Sequence, residues 1–592
     1  MGHLNFNSRT KIPRVKRASS TRMSCITHDF NACRRVLWSL FLIVCVGVTA
    51  CNAPQDKASP HTQAPTFDPR RLSEEVRTLS SEAFEGRGPG TPGEIKTIEH
   101  ISARLQADGL QPGGDLKDGK RLWTQAVPLL RAEITGTPTV SLNIGGKSQA
   151  LTQGQQIALR PALNGDTHVT VKDAPLVFAG YGVKAPGRNW DDFKGLNVKG
   201  KILVVLINDP DFETGQGDFG GKAATYYGRW TYKYEEAARL GAAGLLIVHE
   251  DAPAAYGWET VKNSYTHDLY DMVRDDPKSA HVPLEGWIQR DLAVALFRQA
   301  GLDFDAVKKQ AQTRDFKPID LRANLSADYT VDAKVITTHN IVGRLEGSQR
   351  PNETVIYSAH WDHLGVGEPD AKGDRIYNGA LDNATGTAAL LELGRAFAQA
   401  KQKPARSLVF LYTTAEEKNL LGAEYYASKP LYPLAQTVAV INVDSLQPFG
   451  PTRDFSVLGD AKSDLLDQLS ALAAKWDVRY SPDIMPEAGF FFRGDQFPFA
   501  QRGVPAFWFN SGSDRIDGGV AATKAWSSAY FRDSYHQPSD EWHADWPFTG
   551  MARDLQIIYT LGSDLANATT WPNWAPDSEY RAARDASADE RK

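Results

Sequence analysis

The most informative segment of the chain is VIYSAHWDHLG (residues 355–365). Five apolar or small residues of strand type are followed at once by His360 and Asp362. Residues two apart on an extended chain point to the same side. His360 can therefore face a metal ion while the Asp362 carboxylate accepts a hydrogen bond from its other ring nitrogen. The pattern predicts a buried parallel strand that ends at a metal site.

Further segments repeat this arrangement along the chain. Strands are predicted over residues 407–413 and 438–443, and a helix over residues 388–398. Carboxylate or imidazole side chains stand at the strand ends or in turns and loops: Asp382, Glu416, Glu417, Asp444 and His536. An open α/β sheet collects its ligands at the carboxyl ends of its strands. Nitrogen and carboxylate oxygen without thiolate suit zinc or another borderline divalent ion.

The first fifty residues differ in composition from the rest. They contain eight Lys or Arg and one acid, Asp29, and then an apolar run over residues 36–48. The run is too short to span a bilayer comfortably, and its basic flank is typical of a signal peptide. Residues 48–51 (VTAC) resemble a bacterial lipobox, in which Cys51 is lipidated; an ordinary signal peptide that contains a cysteine is the alternative. We expect an exported protein, lipid-anchored to the cell envelope at the outer membrane or in the periplasm.

Residues 1–50 are thus predicted to be a signal peptide and residues 51–69 a flexible tether. Without the signal peptide the net charge changes from −5 to −12, and Cys51 is the one cysteine left. No internal disulfide and no cysteine-based zinc site are then expected. An acidic exported protein is a poor partner for nucleic acid, so membrane contact is expected through the lipid anchor alone. The sequence does not indicate the oligomeric state.

At 592 residues the chain is too long for one hydrophobic core, so two or three domains are expected. Helices are predicted over residues 72–79 and 95–110. The glycine-rich stretch between them, EGRGPGTPG (residues 85–93), has no preceding strand, which favours a structural turn over a phosphate-binding loop. The region 132–330 is β-rich and reads as a separate domain, with strands predicted over residues 167–171, 175–181, 201–207 and 242–249.

Six short motifs in a fixed order resemble the co-catalytic di-zinc aminopeptidase superfamily, which includes bacterial leucyl aminopeptidases and glutamate carboxypeptidase II. Residues 79–114 are similar to the opening of that family's peptidase domain. APLVFAGYGV, VKGKILVVL and AARLGAAGLLIV resemble a protease-associated domain inserted into it. The resemblance implies an α/β fold with a mostly parallel, doubly wound sheet of zinc-exopeptidase type, built from residues 70–131 and 331–570, with an inserted β-rich domain at 132–330.

The resemblance also implies a role for each motif residue. The implied zinc ligands are His360 and Asp444 for one ion, Glu417 and His536 for a second ion, and Asp382 as a bridge between the two. Glu416 would be the general base, and Asp362 would orient His360. The residues alone leave open which of Glu416 and Glu417 is the base. His363 and His543 lie near the motifs and are not expected to bind metal.

The implied activity is the removal of N-terminal residues from peptides by a water molecule that two Zn²⁺ ions activate. Three alternatives remain: a carboxypeptidase of the same fold, a single-zinc glutaminyl cyclase, and a non-catalytic receptor ectodomain. A carboxypeptidase needs a cation for the terminal carboxylate, and Arg493 is the residue that stands out for this role. The complete set of ligands together with Glu416 argues against the cyclase and the receptor.

Substrate contacts are expected from residues 490–498 and 505–512, which are predicted to form a rim near the metals. The candidates are Phe491, Arg493, Asp495 and Phe531. The family often has Ser-Asp-His where this chain has Gly-Asp-Gln (residues 494–496), and some relatives have a Tyr at the position of Phe491. The phenylalanines would look identical as core residues. Residues 571–592 are charged and polar, and a disordered tail is expected there.

Overall fold

The apolar run before His360 forms the centre of a sheet whose two faces are both covered. In the computed structural model, which describes residues 65–459 and 462–591, strand Arg350–His360 pairs in parallel with Arg406–Thr413 on one side and Thr437–Val443 on the other. Tyr357 packs into a hydrophobic cluster on one face, and Ile356 packs into another on the opposite face. Burial of both faces explains why the strand is continuously apolar and does not alternate.

The strands of the large sheet cover much of the described chain. They are β1 (Gln111–Pro112), β2 (Thr124–Ile144), β3 (Lys147–Leu151), β4 (Ile157–Leu159), β5 (His168–Phe178), β6 (Ile202–Leu206), β7 (Gly244–His249), β8 (Leu269–Met272), β9 (Leu284–Gln289), β10 (Ile319–Leu345), β11 (Arg350–His360), β12 (Arg406–Thr413), β13 (Thr437–Val443), β14 (Asp454–Val457), β15 (Arg479–Tyr480) and β16 (Ala506–Ser511). Short two-stranded ribbons join Leu116–Lys117 with Lys120–Arg121, Lys184–Ala185 with Trp190–Asp191, and Gly365–Val366 with Ile376–Tyr377.

The α-helices of the described residues are distributed over both parts of the sheet. They are α1 (Pro69–Leu79), α2 (Pro92–Ala107), α3 (Trp230–Leu240), α4 (Asp251–Ala254), α5 (Trp258–Tyr265), α6 (Arg290–Gln299), α7 (Phe304–Ala311), α8 (Thr385–Ala398), α9 (Leu421–Ser428), α10 (Asp464–Ala473), α11 (Phe497–Gln501), α12 (Gly519–Asp533), α13 (Thr549–Asn567) and α14 (Arg581–Ala586). Among the helices between residues 65 and 591 that the structure describes, none combines the length and the apolar character that a membrane crossing requires.

The strand order is β15-β14-β16-β13-β11-β12-β10-β5-β6-β7-β9-β4. Strands β16, β13, β11 and β12 are mutually parallel. Strand β14 is antiparallel to β16 and parallel to β15, and β10 is antiparallel to β12. Helices α1, α8 and α13 cover one face of the half, and α9 and α11 cover the other. The predicted α/β class, with a mostly parallel sheet wound on both faces, is confirmed.

The β-rich region shares strands with the rest of the sheet. In it β5, β6, β7 and β9 are parallel, and two hydrophobic clusters cover their opposite faces. The long strands β2 and β10 pair with each other in antiparallel fashion from Thr124 to Ile144. Residues 132 and 330, at which we placed the limits of an inserted domain, lie inside these two strands. A pattern of β-type residues continues smoothly through both positions, so it carries no signal for a boundary.

The prediction of a disordered C-terminal tail is wrong for its described part. Helix α14 follows residues that pack on the sheet, and Arg584 and Trp574 are each 1% exposed. The Arg584 guanidinium donates to the carbonyl oxygens of Thr437 and Val438, at the start of β13. Charged composition suggested disorder, but a buried arginine with carbonyl acceptors is a stable arrangement that composition does not reveal.

Candidate metal centre

Three neighbouring parallel strands deliver side chains to one edge of the sheet. His360 is the last residue of β11, Asp444 directly follows β13, and Glu416 and Glu417 follow β12 by a few residues. Because the carboxyl ends of parallel strands meet at the same edge of the sheet, the direction of the strands is enough to bring these side chains together. Asp382 reaches the same edge from the turn Ala380–Ala384 that precedes α8.

The convergence forms one cluster around His360. Its Nε2 atom lies 3.2 Å from Asp382 Oδ1, 3.4 Å from Asp444 Oδ1 and 3.9 Å from Glu416 Oε2. His360 is 1% exposed, and Asp382 and Asp444 are each 5% exposed. One ligand atom from each of His360, Asp382 and Asp444 lies within 4.8 Å of the other two, so a single ion could bind all three.

A second cluster forms on the other side of Asp382. His536 Nε2 lies 3.0 Å from Glu417 Oε2 and 3.3 Å from Asp382 Oδ2. His363 Nδ1 lies 2.6 Å from the other oxygen of Glu417, Oε1. Asp382 therefore offers one carboxylate oxygen to each cluster. The sequence-based expectation placed one residue between two ions, and the two oxygens of Asp382 have the matching arrangement.

The chemistry of these atoms fits a divalent cation. The Nε2 atoms of His360 and His536 are buried and have no hydrogen-bond partner. Burial raises the pKa of Glu416 well above its usual range, and the nearby carboxylates of Glu417 and Asp444 add to this effect. Burial likewise raises the pKa of Asp444. Buried carboxylates crowded in this way are stabilised by positive charge, and imidazole with carboxylate oxygen is a donor set that zinc accepts.

The orientation of His360 is set by a different atom from the one we expected. Its Nδ1–H donates to the main-chain carbonyl of Asp362 at 3.0 Å, whereas the Asp362 carboxylate is 3.8 Å away. That carboxylate accepts the Glu416 N–H at 3.1 Å. The prediction of a carboxylate–imidazole hydrogen bond is therefore corrected, because the chain turns after His360 and brings the carbonyl closer. With Nδ1 donating, Nε2 carries the free lone pair that faces the cluster.

Asp540 supports the turn that carries Asp382. It is 2% exposed, and its carboxylate accepts the N–H groups of Leu381 at 3.0 Å and Asp382 at 3.1 Å. Burial raises the pKa of Asp540 to about 6. On the other side of the turn, Asn383 Oδ1 accepts the N–H of Ser445, next to Asp444. The turn is thus fixed to the loops on both sides of the cluster.

Several residues at the cluster adopt a backbone conformation that glycine would favour. Ala415, Ser445 and His536 have φ angles of 51°, 51° and 58°. Ala415 precedes Glu416, and Ser445 follows Asp444. A non-glycine residue in this region costs on the order of 1–3 kcal/mol, and such residues concentrate at functional sites. The packing of the surrounding structure therefore maintains a strained backbone conformation next to Glu416 and Asp444 and at His536.

Arg87 is a residue of this region that the sequence interpretation missed. It is 1% exposed and lies in the glycine-rich stretch predicted to be a structural turn. Its guanidinium donates to the carbonyl oxygens of four residues: Leu79, Trp361, Asn378 and Gly379. Burial lowers its pKa to about 10. Arg87 therefore ties the first segment of the chain to the loop after His360 and to the turn before Asp382.

A cavity of about 140 Å³ adjoins the metal centre. Asp382, Glu416 and Asp444 line one end. The rest of the wall includes a further carboxylate, Asp483, and six aromatic residues: Phe490, Trp508, Trp526, Tyr530, Phe531 and Tyr535. Of the four predicted substrate contacts, Arg493 and Phe531 line this cavity.

Phe491 and Asp495 do not line the cavity, and their predicted contact with substrate is corrected. Phe491 is 4% exposed and packs against Phe497 and Tyr580 in the hydrophobic core. Asp495 is 1% exposed, and its carboxylate accepts the Thr413 hydroxyl. A short 3₁₀ helix, Phe490–Arg493, turns neighbouring side chains to different sides, which single-sequence reasoning could not resolve.

Tyr535 and His363 complete the site. The Tyr535 ring stacks on His536 with centroids 3.8 Å apart. The Tyr535 side chain is 37% exposed, and a tyrosine phenol, with an ordinary pKa of about 10, keeps its proton at neutral pH. His363, which we did not expect to bind metal, is fully buried against Glu417, and His543 is exposed beside Trp546. His363 directly follows Asp362, but only the path of the loop decides that it faces inward.

The fold and the donor set define a metal-binding α/β protein with a site at the carboxyl edge of its parallel strands. Residues 340–559 match the model of peptidase family M28. The matched segment contains β11, β12, β13 and β16. It also contains the six residues to which the sequence analysis gave metal or base roles: His360, Asp382, Glu416, Glu417, Asp444 and His536.

Curated relatives match a short part of the chain. A probable zinc metalloprotease of Pyrenophora tritici-repentis is 38% identical over 109 residues, which are 18% of this chain and 24% of that protein. Aminopeptidase NAALADL1 of Mus musculus is 34% identical over 113 residues, 18% of this chain and 14% of that protein. The chain thus spans a quarter or less of the length of these two relatives.

Among solved structures, an aminopeptidase from Aneurinibacillus sp. strain AM-1 aligns over 84% of this chain and 94% of that chain, with 18% sequence identity and a TM-score of 0.47.

Proposed function

We propose that this protein is a metallo-aminopeptidase that removes N-terminal residues from peptides with the help of two zinc ions. The observation that carries the proposal is the position of Asp382 between two donor clusters, with one oxygen 3.2 Å from His360 Nε2 and the other 3.3 Å from His536 Nε2. Asp444 would complete the first site and Glu417 the second. The relatives named zinc metalloprotease and aminopeptidase support this reaction class.

Glu416 is the proposed general base. Zinc held by the two clusters would supply Lewis acidity for the attacking water and for the scissile carbonyl. Glu416 lines the cavity, and its Oε2 atom is the carboxylate oxygen farthest from His360 Nε2 in the first cluster, at 3.9 Å. Its carboxylate would take a proton from the water and return it to the leaving amine, a role that contributes about 10²- to 10⁴-fold to the rate.

Charge supports a substrate with a free amino terminus. The carboxylates of Asp382, Glu417 and Asp444 would offset three of the four positive charges of two zinc ions. Glu416 would offset the fourth, so this end of the cavity would carry no net positive charge to repel the ammonium group of the substrate. Tyr535, which lines the same cavity and keeps its proton, is placed to donate to the oxyanion that forms during hydrolysis.

The test combines metal analysis with activity on wild type and Glu416→Gln. We expect two zinc ions per chain in both proteins, cleavage of aminoacyl amides by the wild type, and loss of at least about 100-fold in kcat for the variant. The exposed residue Glu487 provides the control, since Glu487→Gln should keep full activity. One zinc per chain would indicate the cyclase, and cleavage of N-blocked peptides from the C-terminal end would indicate the carboxypeptidase.

We also propose export and lipid anchoring through Cys51, on the basis of the basic and apolar pattern of residues 1–50. Residues 1–50 and Cys51 lie outside the described residues. In a bacterial host the wild type should fractionate with membranes, and Cys51→Ala should move to the soluble fraction. Retention of the Cys51→Ala protein in the membrane would refute the anchor.

Residues 132–330 are proposed to form a protease-associated-like insertion. The parallel strands β5, β6, β7 and β9, with hydrophobic clusters on both faces, support this interpretation. Superposition on known protease-associated domains tests the proposal, which fails if their strand order differs from β5-β6-β7-β9.

A further inference from the structure

The cavity beside the metal centre contains one cationic side chain among the residues described as lining it. That side chain is Arg493. It stands at the end of the short helix Phe490–Arg493, and its guanidinium carbon lies 5.7 Å from the centroid of the Phe490 ring. Phe490 lines the same cavity. The guanidinium therefore belongs to the wall that a bound substrate would touch.

No hydrogen-bond acceptor for Arg493 is found among the residues that the structure describes. Its Nε atom is buried without a hydrogen-bond partner, and no carboxylate of residues 65–459 and 462–591 lies within 4.0 Å of its nitrogens. The Arg493 side chain is half-buried, whereas the fully buried Arg87 donates to four carbonyl oxygens and Arg406 donates to Glu353 and to carbonyl oxygens. A buried Nε–H group without a partner loses the hydration that it has in water. An acceptor from outside the protein would compensate for that loss.

The backbone that carries Arg493 is held firmly. A Cβ atom added at Gly494 would lie 2.7 Å from a ring carbon of Trp508, so the chain packs closely there. Gln496 donates to the carbonyl oxygen of Phe491 and accepts from Asn442 of β13. These contacts connect Arg493 to the strand that delivers Asp444. Because Arg493 and the metal ligands are attached to the same sheet, the Arg493 guanidinium is preorganised to orient a substrate.

The size of the cavity limits what Arg493 can reach. About 140 Å³ is smaller than the ~300–1,000 Å³ of ordinary small-molecule pockets. The space suits one amino-acid side chain or a very short peptide. A carboxylate is the group that an arginine fork binds best, through two parallel charge-assisted hydrogen bonds.

We infer that Arg493 binds a carboxylate of the substrate and thereby selects acidic or very short peptides. This inference rests on the proposed function, because it takes the cavity to be the peptide site. The carboxylate can come from two sources. One is the side chain of an N-terminal Asp or Glu, and the other is the C-terminal carboxylate of a dipeptide.

The kinetic test compares substrates that differ by one charge. In one arm, kcat/KM is measured for glutamyl and glutaminyl anilides; in the other, for free dipeptides and their C-terminal amides. We expect the wild type to prefer the carboxylate form in at least one arm by about 10- to 100-fold. Arg493→Gln should abolish this preference, and Arg493→Lys should retain part of it because charge remains without the fork.

Arg515 supplies the matched control. Its guanidinium also lies over a phenyl ring, 4.4 Å from the centroid of Phe449, but it is not among the described residues that line the cavity. Arg515→Gln should keep the wild-type preference. Zinc content is measured for every variant, so a loss of the metal centre is recognised separately from a loss of selectivity.

Calorimetry provides a readout that needs no turnover. The zinc-loaded wild type should bind L-glutamate more tightly than L-glutamine, or Ala-Ala more tightly than its amide, and Arg493→Gln should bind the members of each pair equally. The inference is overturned if the wild type shows neither preference, or if Arg493→Gln keeps the preferences. A protein that binds carboxylates through Arg493 but hydrolyses none of the substrates would support the inference while refuting the proposed aminopeptidase.

Discussion

Replacing Asp540 by Asn should weaken zinc binding although Asp540 is not a proposed ligand. Asp540 accepts hydrogen bonds from the N–H groups of Leu381 and Asp382 and from the Tyr530 hydroxyl, at 3.0, 3.1 and 3.2 Å. An asparagine side chain has one carbonyl oxygen, so its amide NH₂ must face at least one of these donors. The turn that carries Asp382 would then lose the contact that fixes it.

The size of the effect follows from these contacts. A hydrogen bond to a charged group contributes about 1.5–3 kcal/mol, and about 1.4 kcal/mol corresponds to a factor of ten in affinity. Losing one such bond at the Asp382 turn should therefore weaken zinc binding by about 10- to 100-fold, which is the usual range for residues that orient metal ligands. Because Asp382 contributes to both clusters, the affinity of both ions should fall.

The assay is a competition titration of zinc between the protein and a chromogenic chelator, with thermal unfolding of the metal-free protein measured in parallel. Asp545→Asn is the control, since Asp545 is exposed on the same segment of chain. Wild-type zinc affinity in Asp540→Asn would refute the argument that this carboxylate positions Asp382. An equal loss in Asp545→Asn would show that net charge, and not orientation, determines the affinity.

Three further predictions concern other parts of the molecule. Arg87→Lys should lower the free energy of unfolding by about 3 kcal/mol or more in urea titrations, because several buried carbonyl oxygens lose their donor; an unchanged unfolding midpoint would contradict this role. Burial alone would lower the pKa of His281, but Glu285 and Asp271 raise it to about 9. The protonated His281 therefore contributes its full stabilisation of the folded state below pH ~6.5, and this contribution is lost as the pH rises through 9. The unfolding free energy of wild type relative to His281→Asn should accordingly fall by about 3 kcal/mol between pH 6 and pH 10, and a constant difference would refute the argument. Tyr535→Phe should lower kcat by about 10²-fold with zinc content unchanged, as expected for the loss of one oxyanion donor; full activity would exclude that role.

The central strands could be predicted from the sequence because their signal is local. Strands β11, β12 and β13 are buried on both faces, so each appears as a short continuous apolar run, and each is followed within a few residues by a polar group. Parallel strands put those groups on one edge. His360, Glu416 and Asp444 could therefore be placed together before any coordinates were known.

Residues in loops and short turns were harder to assign. Phe490 and Phe491 are neighbours of the same residue type, yet one lines the cavity and the other is in the core. His363 and His543 both lie near motifs, yet only His363 is buried against a proposed ligand. The direction of a side chain in a loop depends on contacts with distant segments, and composition does not record such contacts.

The fold class, the carboxyl edge of the sheet as the site, and the residue types that meet there all followed from the amino-acid sequence, because hydrophobic periodicity and strand direction are properties of short segments. The coordinates of the folded chain were needed to see that the Asp362 carbonyl orients His360, that Arg87 joins three segments, and that Arg493 lines the cavity with its Nε atom unpaired. The path of a loop and the contacts of a buried side chain are set by the packing of the whole sheet and its helices, which short segments of sequence do not record.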